Sequence, residues 1–253
     1  MKNSKKREST LTSWHKYYKD LCPKTDEELD KMSQVPYASA IGSIVYAMMC
    51  TRSDVSFALS MVSRHQQNLG EGHWITVKNI LKCLRNTKDR FLVYGGEEEL
   101  RVTGYCNASW QIDKDDSRLQ SGWIFLLNGG VVTWKSSKQD TVADFTCESE
   151  YIAACEASKE AIWMKNFIGV LGVVPTLQDP VKIFCDNKSA VALTKEPKDH
   201  GKSKHSERKY HFVRRKIEEG HVIVKHIRSE DNPADPFTKA LAKSRHDEHA
   251  RSI

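Results

Sequence analysis

The hydrophobic positions of this chain follow two different periods. Between Pro36 and Thr87 apolar residues recur at helical spacing. Ile41, Val45 and Met48 line one face of 37–49; Val55, Leu59 and Val62 line 53–62, with Ser53 as N-cap. Val77, Leu81 and Leu84 do the same for 73–87, after a turn at Asn68–Gly72. Three helices joined by short turns are predicted, their Met and aromatic residues serving as core. Residues 1–35 are polar and irregular, and no packed element is predicted there.

From Phe91 the pattern shortens to that of strands. Phe91–Tyr94, Leu100–Asn107, Gly122–Gly130 and Val131–Ser136 are rich in β-formers, and Asn128-Gly-Gly130 marks a hairpin turn. A long helix is predicted over 148–171, with Ile152, Cys155, Ala157, Ile162, Phe167 and Leu171 apolar and Gly172 as its stop. Strand 181–185, helix 188–195, a basic amphipathic helix over 207–219, strand 222–227 and a final helix over 233–243 complete the series. Strands first, then helix–strand–helix–helix–strand–helix, predict an α/β fold: a mixed sheet with helices on both faces. Val102–Trp110 would be its central strand. The expected organisation is a disordered polar segment at 1–35, a helical segment at 36–90, the α/β domain at 91–243 and a polar tail at 244–253.

Composition narrows the class. The chain has 253 residues and a mean hydropathy of -0.57, with no apolar run of membrane-spanning length. The basic stretch Met1–Thr10 has no apolar segment behind it, so it is not a secretory signal. Cys22, Cys50, Cys83, Cys106, Cys147, Cys155 and Cys185 are odd in number and form no CxxC pair, which fits a reducing, cytoplasmic or nuclear compartment. Charge is uneven: 182–228 holds 13 Lys and Arg against 6 Asp and Glu, while the remainder is near neutral. Such a concentration suits a polyanion, or else a solvated helix face.

No self-sufficient motif is present: no GxGxxG, P-loop, HExxH or EF-hand loop. His200, His205 and His211 lack the i, i+4 spacing of helical zinc ligands. Cys106 and Cys185 read as ordinary buried cysteines. What remains is a scatter of acids at element ends: Glu150 in the first turn of the long helix, Asp186 just after a strand, and Asp235 at the start of the last helix. Taken singly, each suits a helix N-terminus equally well. Converging at the carboxyl ends of strands, they would need a hard cation, Mg²⁺ or Mn²⁺.

Several stretches, in order, carry a family resemblance. They include Ala40-Ile-Gly-Ser-Ile-Val-Tyr-Ala-Met48, Cys50-Thr-Arg-Ser-Asp-Val55, His73-Trp-Ile-Thr-Val-Lys78, Gly104-Tyr-Cys-Asn-Ala-Ser-Trp110 and Ser121-Gly-Trp-Ile-Phe125. Thr133–Gln139, Glu148–Ala154, Lys159–Trp163, Cys185-Asp-Asn-Lys-Ser-Ala190, Lys204-His205, Tyr210–Phe212, Ala234-Asp235 and Thr238-Lys239 follow. Over roughly 33–243 the chain resembles the C-terminal part of a copia-type retrotransposon Pol polyprotein: the end of the reverse transcriptase and its ribonuclease H domain. The resemblance implies a five-stranded RNase H-like sheet from about residue 98 and hydrolysis of RNA in RNA–DNA hybrids by two metal ions ~4 Å apart.

The ligand positions carried over are Asn107, Glu150, Asp186 and Asp235, with Glu148 a neighbouring acid. Hybrid contacts are expected from Lys202, Lys204, His205, Lys209, Arg214 and Arg215. Two departures stand out. The family has aspartate where this chain has Asn107, and usually a second where it has Ser109. An amide cannot bridge two cations as a carboxylate does. Asp113, Asp115 and Asp116 would have to fold back to compensate. The expectation is therefore a weakly held ion and absent or severely reduced nuclease activity. The alternatives are a non-catalytic nucleic-acid-binding domain and a degenerate transposon remnant. The polymerase's acidic palm motif is missing, so no DNA synthesis is expected.

Overall fold

The computed structural model describes residues 21–95, 100–109, 119–141, 143, 145–172, 179–195 and 204–250; for 204–210 and Lys243 it describes the backbone only. Among these residues the chain packs as two units, 21–91 with 240–250, and 92–239.

The first unit contains α1 (Asp26–Ser33), α2 (Tyr37–Cys50), a 3₁₀ turn (Ser53–Val55), α3 (Ser56–Val62) and α4 (Glu71–Asn86). Its core includes Ile41, Ile44, Val62, Val77 and Ile80. Helix α1 falls where the sequence pattern predicts no element. Thr25 Oγ1 caps it, accepting from Glu28 N at 3.3 Å, and Asp26, Glu27 and Glu28 face the positive end of its dipole. Only Met32 is buried, so the apolar stripe that announces a helix is missing.

The C-terminal helix α8 (Lys243–His249) belongs to the same unit and replaces the expected polar tail. Arg90 Nη2 donates to Asp247 Oδ1 at 2.6 Å, and His246 Nε2 lies 3.1 Å from the Asp54 carbonyl. Arg52, buried, forks onto both oxygens of Asp54 at 2.8 and 2.7 Å and also donates to Thr87.

The second unit is a five-stranded sheet in the order β3-β2-β1-β4-β5. The strands are β1 (Val102–Ser109), β2 (Gln120–Leu127), β3 (Gly130–Lys138), β4 (Val181–Cys185) and β5 (Val222–His226). Strand β1 is central, antiparallel to β2 and parallel to β4. The β2–β3 turn is Asn128-Gly129, both residues left-handed at φ 53° and 77°, the conformation that a two-residue hairpin loop selects.

Helix α5 (Thr146–Leu171) follows, ended by Gly172 at φ 66°; α6 (Lys188–Leu193) and α7 (Lys204–Glu218) come later. Ala154, Ala157 and Ala161 bring α5 close to the sheet, and α5, α6 and α7 share one buried cluster with Cys106, Phe125, Ile183 and Val224. On the opposite face Ile124 and Val131 pack with Ala234 and Phe237. Gly104 has no room for a side chain: a Cβ would lie 2.4 Å from the Phe125 ring.

Two expectations fail in this unit. Phe91–Tyr94 is not a strand. Phe91, Val93 and Tyr94 are exposed, and the segment is held by Tyr94 Oη donating to Val131 O at 2.9 Å and Gly95 N to Asn128 O at 3.2 Å. The helix expected over 233–243 is a single 3₁₀ turn, Asp235–Phe237. Pro233 and Pro236 remove two backbone donors, and the Asn232 side chain takes the Ala234 N–H instead.

Candidate metal and nucleic-acid site

The site begins from strand register. Cys106 pairs with Cys185 where the β1–β4 pairing ends, so Asn107, still within β1, and Asp186, just past β4, follow the same paired position. Asn107 is buried, opposite Gly122 of β2. Its Nδ2 donates to Asp235 Oδ1.

Asp235 is buried at the start of the 3₁₀ turn, and that turn is tied to the sheet at several points. Asn232 Nδ2 donates to the Cys106 carbonyl at 3.0 Å, and Ser136 Oγ donates to the Phe237 carbonyl at 2.5 Å. Gly122 permits the approach, since a Cβ there would sit 2.5 Å from Phe237 Cβ. One turn on, Lys239 Nζ lies 2.8 Å from Asp235 Oδ1.

The other half of the site comes from α5 and β4. Glu150 is buried, and the Ala108 backbone N–H donates to its carboxylate. Cys185 Sγ donates to Glu150 Oε2 at 3.8 Å. Ligand atoms of Glu150, Cys185 and Asp186 all lie within 4.8 Å of one another. Burial pushes the Glu150 carboxyl well above the usual range, and the charges of Cys185 and Asp186 push the same way. Contact between the two buried thiols holds Cys185 below its ordinary value and, with burial, raises Cys106. Neither Glu150 nor Asp186 has a Lys or Arg partner among the described residues.

Gln139 fixes the helix start: its Nε2 donates to Ser121 Oγ at 2.7 Å and to the Ser149 carbonyl at 3.0 Å. Sequence reasoning misses Gln139 and Asn232. Both stand in stretches that carry the resemblance or adjoin it, but a side-chain bond to a distant backbone leaves no periodic signal.

The four predicted positions therefore converge but divide into two halves. Asn107, Asp235 and Lys239 satisfy one another by hydrogen bond and ion pair. Glu150 and Asp186, with Cys185 between them, lack a Lys or Arg countercharge among the described residues. A bridged pair of cations does not fit, because an amide N–H points at the carboxylate it would share with the metals and Lys239 already neutralises that carboxylate. One divalent cation fits the Glu150–Asp186 half.

Of the predicted nucleic-acid contacts, Lys202 lies outside the described residues, and Lys204, His205 and Lys209 lie on α7 with backbone only. Arg214 is turned inward, its Nε donating to the Leu193 carbonyl at 3.3 Å. Arg215 is exposed, 3.7 Å from Glu219. Asp113, Asp115 and Asp116 lie outside the described residues.

No protein-family model matches the chain. A Pol polyprotein does: the retrovirus-related Pol polyprotein from transposon TNT 1-94 of Nicotiana tabacum is 39% identical over 245 residues, 97% of this chain. The chain belongs to the copia-type retrotransposon Pol family. The Pol polyprotein from transposon RE2 of Arabidopsis thaliana is 31% identical over 217 residues, 86% of this chain. This copia-type chain spans 18% and 15% of the lengths of those two relatives.

Among solved structures, the foamy viral protease-reverse transcriptase aligns at TM-score 0.50 and 14% identity, over 81% of this chain and 42% of that one. The second unit has the RNase H-like fold that this family membership implies. No helix among the described residues is long and apolar enough to cross a membrane.

Proposed function

We propose that this chain carries an RNase H-like domain that binds RNA–DNA hybrid and a single divalent cation, and hydrolyses the RNA strand poorly or not at all. One observation carries the reading: the Asn107 amide donates to Asp235 where the family's bridging aspartate would stand. Glu150 and Asp186 would hold Mg²⁺ or Mn²⁺, which would supply Lewis-acid polarisation of the scissile phosphate.

The chain's own groups do less than the chemistry asks. Asp235 is engaged by Asn107 and Lys239, so it has to shed two partners before it can take a ligand role. The basic stretch around α7 would track the phosphate backbone, and the foamy viral structure, solved in complex with dsDNA, supports a nucleic-acid partner. Seven free cysteines suit action in the cytoplasm or nucleus.

The test is cleavage of a labelled RNA–DNA hybrid by the wild type, Asn107→Asp and Glu150→Gln. The expected result is little or no cleavage by the wild type and recovery in Asn107→Asp. Wild-type cleavage that Asn107→Asp does not raise and Glu150→Gln abolishes overturns the proposal. The self-satisfied Asn107–Asp235–Lys239 half favours a second reading, a purely binding domain. Salt-sensitive hybrid binding with no cleavage even by Asn107→Asp would establish it.

A further inference from the structure

We propose that Glu150, Cys185 and Asp186 form a three-ligand site for one borderline-soft divalent cation of the zinc type, with the Cys185 thiolate setting the preference. The proposal rests on the reading of Glu150 and Asp186 as metal ligands, and it adds Cys185, a residue the hydrolytic scheme does not use.

The geometry is already close to what such an ion needs. Zinc–sulfur and zinc–oxygen bonds of about 2.3 and 2.1 Å at a tetrahedral angle put ligand atoms ~3.6 Å apart. Cys185 Sγ and Glu150 Oε2 are 3.8 Å apart, so the ion could replace their hydrogen bond with little movement of either side chain. All three ligand atoms fall within 4.8 Å of one another, and they come from the end of β4 and from α5, two rigid elements.

Ligand chemistry points the same way. With Asn107 and Lys239 occupying Asp235, two carboxylates remain, enough for a hydrated Mg²⁺, but Cys185 adds a sulfur beside them that a hard cation does not favour. Zinc accepts thiolate and carboxylate ligands alike, and three protein ligands leave its fourth tetrahedral position open. That neither Glu150 nor Asp186 has a Lys or Arg partner among the described residues favours a cation whatever its softness. On binding, the metal–sulfur bond forms as the Cys185 S–H bond breaks, and the proton leaves to solvent.

The experiment is a Cd²⁺ titration of the full chain, read by the ultraviolet thiolate-to-cadmium charge-transfer band, with Mn²⁺ binding measured separately by electron paramagnetic resonance. The band should saturate at one equivalent and persist in Cys50→Ser, which removes the exposed thiol. It should vanish in Cys185→Ser. Near-isosteric Glu150→Gln, which keeps the side chain's volume should Cys185→Ser fold poorly, should weaken Cd²⁺ binding by at least about tenfold, the scale on which groups merely supporting metal ligands act. A band unchanged in Cys185→Ser or in Glu150→Gln overturns the proposal. Mn²⁺ binding with no cadmium–thiolate band overturns it while leaving the carboxylate reading standing. Binding of neither ion overturns both.

Discussion

Gly122→Ala tests how closely the turn bearing Asp235 is pressed against the sheet. Gly122 is not among the left-handed residues, so alanine suits its backbone and contact alone decides the outcome. The new methyl would meet Phe237 Cβ at 2.5 Å, Thr238 Cγ2 at 2.9 Å and the Phe237 carbonyl carbon at 3.1 Å. Carbon atoms rest about 3.5–4.0 Å apart, so the turn has to retreat by roughly 1 Å. It is not free to do so. Ser136 Oγ holds the Phe237 carbonyl at 2.5 Å, and Asn232 anchors the turn to Cys106 at 3.0 Å.

Overpacking of this kind costs about 1–3 kcal/mol, and a broken hydrogen bond adds about 0.5–1.5. The reduced freedom of the unfolded chain returns about 0.4–1. The net expectation is a loss of roughly 0.5–4 kcal/mol. Urea denaturation of the fragment 92–239 should show a lower midpoint at unchanged slope, with a Tm fall of roughly 1–16 °C. Gly169→Ala on α5, where a Cβ meets nothing, should instead stabilise by about 0.5–1 kcal/mol. Gly122→Ala matching or exceeding the wild type in stability would refute the close approach.

Other expectations follow from the same packing. Arg52→Ala leaves the largely buried Asp54 with Arg90, 3.6 Å away, and should cost less than the about 3–5 kcal/mol of a wholly stranded charge in thermal or chemical melts; Arg52→Lys should recover little, because lysine cannot fork. His73 is fully buried, stacks on His65 at 4.3 Å and accepts from Gly70 N at 3.1 Å, and burial with the neighbouring His65 lowers its pKa from 6.5 to about 4. The neutral form is therefore the folded one. Its stabilising contribution is full above pH 6.5 and falls by about 1.4 kcal/mol per unit as pH drops towards 4. His73→Asn, which keeps an acceptor, should flatten that part of the stability–pH curve. Arg215→Ala with Lys209→Ala should weaken hybrid binding and lower the log–log salt slope by about 0.9 for each phosphate no longer neutralised. An unchanged slope would place the polyanion elsewhere.

Sequence pattern is most informative where packing is local and periodic. Helix α5, its Gly172 stop and the Asn128-Gly129 turn are legible because each is set by residues within a few positions of one another. Phe91–Tyr94 is a run of β-formers like a strand, yet nothing in its own residues says whether a neighbouring edge will pair with it. The 233–243 segment carries its own warning in Pro233 and Pro236, but the acidic start and the lysine one turn later imitate a helix. The four ligand positions are legible only through the family resemblance. Their division into two halves is not, because it turns on which way one amide points and on the strand register that pairs Cys106 with Cys185. Helix α1 and the inward face of α8 escape because both are short and polar, held by caps and ion pairs in place of an apolar stripe.

Helix α8 also changes how the chain can be dissected. Because it packs with Asp54 and Arg90, the helical unit is discontinuous: its pieces come from both sides of the sheet domain, which is looped out between residues 91 and 240. A fragment ending at residue 91 would deprive Arg90 of the Asp247 carboxylate and bare the surface under His246. The fragment 92–239 would keep every residue of the candidate site. Unfolding the sheet domain would turn the connection between α4 and α8 into a long flexible loop, whose closure entropy grows only slowly with length. The helical unit can therefore outlast the domain inserted into it, so that two melting transitions in one chain would be no sign of a heterogeneous sample.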